Sequence, residues 1–225
     1  MKTSRIFCNN SMNIDIKEPI SREKWLDALH VAGKADDALE AKLNEAERML
    51  LKEAQPKAVY RIMDRNEVIT CGFSIEKHLE GCSRVAIMGI TLGLGVDNML
   101  RKTQVKDMAM TVILDCGASV LVEQLCDEYE ELIKQETEEA YATFRFSPGY
   151  GDYPVSEQGR IIRYLDASRR IGLTVTANSL MIPRKSVTAL IGLADHPVAG
   201  RLATCGECVL RDKCTLRKEG KFCGD

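Results

Sequence analysis

Ten residues, Arg145-Phe-Ser-Pro-Gly-Tyr-Gly-Asp-Tyr-Pro154, admit neither a helix nor a continuous strand. They end a run in which Tyr141, Thr143 and Arg145 alternate with Ala142, Phe144 and Phe146, the two-residue period of a β-strand. Pro148 removes a backbone donor, and Gly149 and Gly151 accept backbone angles that other residues resist. A strand therefore stops here in a tight loop. Such a loop can bring main-chain N–H and C=O groups directly against a ligand, with Arg145 beside them to pair a carboxylate. A solvated turn carrying two aromatics satisfies the same pattern, so the residues by themselves leave both readings open.

The segments before the loop read as helices first. Ser21 is placed to cap a helix through Trp25, Leu26 and Leu29 that stops at Gly33. Asp36 and Asp37 suit the N-terminus of a second helix, with Leu39, Leu43, Ala46 and Leu50 at helical spacing before Pro56. Ala58–Met63 and Glu67–Phe73 read as two strands of a hairpin turning at Asp64-Arg65-Asn66, and Val85–Thr91 as another strand. Beyond Gly93 and Gly95 a helix is predicted, then a longer one over Lys106–Lys134 whose acidic end, Glu128, Glu130 and Glu131, faces solvent. After the loop, Pro154 or Ser156 opens a helix through Ile161, Ile162 and Leu165 that closes at Arg169, Arg170 and Gly172. Thr174–Ala177 and Val187–Leu193 are the last strand candidates. Helices and strands mix without regular alternation, which predicts an α+β fold: an antiparallel sheet with packed helices. The pattern dissolves across Ala194–Ala203, dividing the chain into a domain over 1–200, helical in 1–55, and a tail over 201–225.

Arg145-x-x-Pro148-Gly149-Tyr150 resembles the signature of the reactivation (activation) domain of vitamin B12-dependent methionine synthase. Ile171-Gly172-Leu173-Thr174, Met181-x-Pro183-x-x-Ser186-Val187 and His196-Pro197 fit the same family, so the likeness extends over roughly 84–197. The resemblance implies a loop that binds S-adenosylmethionine and a domain that sits over cobalamin during reductive methylation. Arg145 would pair the methionyl carboxylate, Ser147 and Gly149 would offer backbone groups around Pro148, and Tyr150 would approach the upper face of the cobalt. The family's early acidic contact has no placeable counterpart here, and no tyrosine follows Tyr164. Cobalamin-binding domains carry Asp-x-His-x-x-Gly; Asp195-His196-Pro197 has the wrong spacing. The expectation is a separate reactivation subunit, the methyltransferase component acting on cobalamin in a partner methionine synthase chain. A flavodoxin- or ferredoxin-type protein would supply the electron. An activator of another corrinoid methyltransferase, or a non-enzymatic partner-binding module, stays open beside it.

Composition narrows the partners. A formal net charge of -2 lacks the positive excess of nucleic-acid binders. Val85–Val96, the longest apolar stretch, is too short for a membrane span and is broken by three glycines. Met1-Lys2-Thr3-Ser4-Arg5 lacks a signal peptide's apolar core, so the expected location is cytoplasmic. Gly89, Gly93 and Gly95 only superficially suggest a nucleotide loop, because Asp115, at the distance of the acidic partner, lies in helical sequence. His30 and His78 read as surface residues, and His196 as a loop histidine.

Nine cysteines, an odd count, do not form a complete disulfide framework. Cys8, Cys71, Cys82, Cys116 and Cys126 are scattered and read as small core residues. Cys205, Cys208, Cys214 and Cys223 cluster in a segment too polar to fold unaided, the pattern of metal ligands. Four thiolates suit zinc or a [4Fe-4S] cluster, and the spacing matches neither standard pattern. The electron needed for reactivation favours the cluster. Arg211, Lys213, Arg217, Lys218 and Lys221 would attract an acidic donor protein.

Overall fold

The computed structural model describes residues 12–198. The chain enters through a short strand, β1 (Met12–Asn13), and passes into two capped helices. Ser21 accepts from the Lys24 N–H at the start of α1 (Arg22–Ala28), as predicted, and Asp36, expected at a helix N-terminus for its charge, accepts from the Leu39 N–H at the start of α2 (Asp37–Glu53). Strand β2 (Lys57–Asp64) follows, then a 3-10 turn over Arg65–Glu67, helix α3 (Phe73–His78) and strand β3 (Arg84–Thr91). Helices α4 (Leu94–Lys106) and α5 (Met108–Glu136) lead to β4 (Tyr141–Ala142). After the 145–154 loop come α6 (Gln158–Leu165), α7 (Ala167–Arg170), a small hairpin of β5 (Thr174–Val175) and β6 (Met181–Ile182), and the long strand β7 (Ser186–Ala194).

Five strands form one antiparallel sheet in the order β1-β2-β3-β7-β4. The middle strands are apolar along nearly their whole length because both faces of the sheet are covered. Ala58, Tyr60, Ile62, Ala86, Met88, Ile90, Ala189 and Ile191 face α1, α2, α4 and α5; Val59, Met63, Val85, Ile87 and Leu190 face α3, α6 and α7. The two-residue alternation of each strand sorts its side chains into these two cores. The expected α+β class, an antiparallel sheet with packed helices, is what forms.

Helix α5 is the axis of the first core. Trp25 of α1 is fully buried against it and donates its indole N–H to the Ile113 carbonyl at 2.9 Å. The helix is long and apolar enough to span a membrane by length and composition, and more than half of that stretch is buried within the fold.

Four expectations are corrected. Glu67–Phe73 is not a strand: β2 pairs instead with β3, from Lys57↔Thr91 to Asp64↔Arg84. Gly72, at φ +126°, breaks the extended run, and the residues after it turn helically so that Ile75 and His78 point inward. His78 is consequently buried, at 1% exposure, whereas His30 is exposed as expected. Glu130, expected in solvent, is buried near the end of α5, and Glu128 is half-buried. Among the scattered cysteines, Cys82 and Cys126 are core residues, Cys116 is half-buried and Cys71 is exposed. Cys8 and the tail cysteines Cys205, Cys208, Cys214 and Cys223 lie outside the described residues.

Candidate functional site

The approach to the loop runs along the outer edge of β7. Ala142 pairs with Leu193, but Phe146 pairs with Leu190, so four steps on one strand meet three on the other. The extra residue is a bulge within Thr143–Arg145, where Thr143 donates its N–H to the Gly192 carbonyl and accepts the Gly192 N–H on its hydroxyl. The strict alternation expected over 141–146 is thus interrupted. Ala142 packs with the α5 core, Phe144 and Phe146 with the opposite core, and the Arg145 guanidinium turns back toward α5.

There it meets a stripe of acids one helical face wide. Its Nη1 donates to Glu130 at 2.8 Å, and its Nη2 donates to Asp127 at 2.7 Å and to Glu123 at 3.2 Å. Lys134 holds the other oxygen of Glu130 at 2.9 Å, and Lys24 lies 3.4 Å from Asp127. The Arg145 side chain is only 19% exposed, while Glu123 and Asp127 are half in solvent. Burial works against the guanidinium charge, but the hydrogen bond to Asp127 and the surrounding charges outweigh it and raise the Arg145 pKa. Below the stripe, burial pushes the Cys126 thiol far up, so it stays protonated.

Beyond Arg145 the backbone closes on itself. Tyr150 N–H donates to the Ser147 carbonyl, Gly149 N–H to the Tyr153 carbonyl, and Tyr153 N–H to the Tyr150 carbonyl. Gly149 sits at φ +102°, a left-handed conformation that favours glycine, and Pro148 is buried beneath the turn. Phe146, fully buried, is the pedestal: the Tyr150 ring meets it edge-on at 5.7 Å, and the buried Tyr153 ring lies at 6.4 Å. His78 stacks from below at 4.7 Å and donates its Nε2–H to the Phe144 carbonyl at 3.0 Å. Tyr150 itself is 52% exposed.

Asp152, to which the sequence assigned no role, ties this loop to α3. Its two carboxylate oxygens accept the Phe73 N–H at 2.8 Å and the Ser74 N–H at 2.7 Å. These bonds, that from Ser74 foremost, hold its carboxyl below the ordinary value. The acids at 123, 127 and 130 were missed as well, although their spacing places them on one helical face. An open groove of about 540 Å³ along α3, lined by Arg65, Phe73, Glu76 and Cys82 among others, includes neither Arg145 nor Tyr150. Among the described residues no three His, Cys, Asp or Glu side chains are grouped to hold a metal ion.

Comparison with known proteins agrees with the fold. A solved structure described as the MetH reactivation domain bound to AdoHcy superimposes with a TM-score of 0.59, covering 94% of this chain and 86% of that one. At 16% identity this is a likeness of fold. No curated protein matches the chain. The family model for the activation domain of vitamin B12-dependent methionine synthase matches residues 75–200, more than half of the 225, from within α3 through the loop and past β7. The chain belongs to the family of vitamin B12-dependent methionine synthase activation domains.

Proposed function

We propose that this chain binds S-adenosylmethionine at the Arg145–Tyr150 loop and supports reductive methylation of cob(II)alamin held by a cobalamin-binding methionine synthase chain. The structurally similar MetH domain was solved with AdoHcy, the product that remains when S-adenosylmethionine gives up its methyl group. In the proposed reaction one electron from a flavodoxin- or ferredoxin-type donor reduces cobalt(II) to cobalt(I). The cobalt(I) electron pair then attacks the sulfonium methyl, the carbon–sulfur bond breaks onto sulfur, and a cobalt–carbon bond forms. The protein's contribution is to hold both reactants and shape the field around them.

The observation that carries this reading is the pairing of functions in one loop. It holds a guanidinium set among carboxylates at one end and a braced, half-exposed Tyr150 ring at the other. S-adenosylmethionine is itself a mixed-charge ligand, with a carboxylate, an ammonium and a sulfonium. Arg145 suits the first, and the half-exposed Glu123 and Asp127 can release a donor to it at the solvent edge. The Gly149 N–H is engaged by Tyr153, so the Gly149 group left for the ligand is its carbonyl oxygen. Tyr150 would stand over the cobalt and disfavour an upper water ligand, which eases the reduction. Cys205, Cys208, Cys214 and Cys223 complete the reading as ligands of a [4Fe-4S] relay or a zinc ion.

The test is calorimetric titration of S-adenosylmethionine into anaerobically purified protein. It is followed by addition of cob(II)alamin-loaded methionine synthase and a chemical reductant. Saturable binding and appearance of methylcobalamin are expected. A protein that binds no S-adenosylmethionine under these conditions is not a reactivation component.

A further inference from the structure

Helix α3 begins without a cap of its own. Its N-cap residue, Gly72, has no side chain to accept the first free N–H groups, and Asp152 supplies the missing acceptor from across the fold. The exchange is reciprocal, because the Asp152 N–H lies 3.4 Å from the Ser74 hydroxyl, its acceptor. Gly72 also makes the approach possible. A Cβ there would sit 2.9 Å from the Asp152 carbonyl oxygen and 3.0 Å from its carboxylate, and φ +126° is a conformation that side chains rarely adopt. Asp152 stands two residues after Tyr150 and one before Tyr153, between the exposed ring and the buried one.

We propose that Asp152 is a positioning residue: its grip on the Phe73 and Ser74 N–H groups fixes where Tyr150 stands. Phe146 meets the Tyr150 ring edge-on, and the backbone bonds among Ser147, Gly149, Tyr150 and Tyr153 close the loop on itself. Without the latch the loop keeps its pedestal at one end and loses its tether at the other. The consequence for chemistry rests on the reading that Tyr150 faces the cobalt; the latch itself does not. Displacing a reacting-site group by about an ångström lowers a rate by up to about a hundredfold. The residues before the turn, Arg145 and Phe146, keep their own attachments to α5 and β7.

The test compares the full chain with Asp152→Ala, Asp152→Asn, Tyr150→Ala and the Asp152→Ala/Tyr150→Ala double variant. Hydrogen exchange at the Gly149, Tyr150 and Tyr153 amides is expected to accelerate about tenfold or more in Asp152→Ala, with β3 and β7 unchanged. Asp152→Asn, which keeps one acceptor oxygen, falls between and guards against a misfolded alanine variant. Methylation of cob(II)alamin should drop about tenfold in Asp152→Ala while S-adenosylmethionine affinity stays within about twofold. The double variant should be no slower than Tyr150→Ala, since one residue acts through the other. Unchanged loop exchange, or losses that multiply in the double variant, overturns the proposal. If the parent protein neither binds S-adenosylmethionine nor methylates, the proposed function falls, and the exchange comparison alone decides the latch.

Discussion

Arg145 is surrounded by more acid than it neutralises. Glu123, Asp127 and Glu130 all reach it, and of these only Glu130 is mostly buried. Replacing Arg145 therefore does two things at once. Arg145→Ala should abolish S-adenosylmethionine binding and also destabilise the fold by about 1–3 kcal/mol, because Glu130 loses a buried donor. Arg145→Lys keeps the charge without the planar fork, so it should retain most of the stability and still bind the ligand about tenfold more weakly. Denaturant midpoints and calorimetry on the same samples separate the two effects, and an alanine variant that binds as tightly as the parent would remove Arg145 from the site. The residue was legible in the sequence as the head of a loop motif. Its neighbours were not, because the face that 123, 127 and 130 share says nothing of which strand will cross it.

Elements were legible where their signals are local and obscure where their partners are remote. Ser21 and Asp36 cap helices as their side-chain chemistry requires, and the apolar spacing in α2 buries Leu43, Ala46 and Leu50. Val68, Ile69 and Thr70 favour strand by type, yet among the described residues no strand pairs with them, and Gly72 with its remote cap turns the following residues into α3. The bulge within Thr143–Arg145 was hidden for a similar reason: its alternation looks regular until β7 sets the register. Helix packing yields a sharper test. A Cβ on Gly117 of α5 would stand 2.3 Å from Cζ2 of Trp25. Alanine is the better helix former by about 1 kcal/mol, but overpacking a core costs about 1–3 kcal/mol. Trp25 cannot turn aside without giving up its bond to Ile113. Gly117→Ala should thus lower the guanidinium midpoint, and a stabilised variant would show that α1 does not seat on α5 in this way.

At the scale of the whole molecule, residues 12–198 carry a sheet covered on both faces, with the candidate loop running off its β4 edge. That arrangement was readable as a class, since mixed helices and antiparallel strands leave few other packings. Among the described residues no group of His, Cys, Asp or Glu side chains is arranged for a metal. If Cys205, Cys208, Cys214 and Cys223 hold a metal, its loss should leave the domain standing. Cys208→Ser is expected to strip zinc, or iron with sulfide, from the anaerobically purified protein. If the tail folds as a separate unit, the thermal midpoint of the domain should move by no more than about 2 °C, because a local unit contributes little to the global transition. Iron and sulfide in the parent, with reductive methylation slowed in Cys208→Ser and S-adenosylmethionine binding intact, would make the tail an electron relay. Zinc in the parent with methylation unchanged would rule that role out, and a collapsed circular dichroism spectrum in the variant would show that tail and domain fold as one.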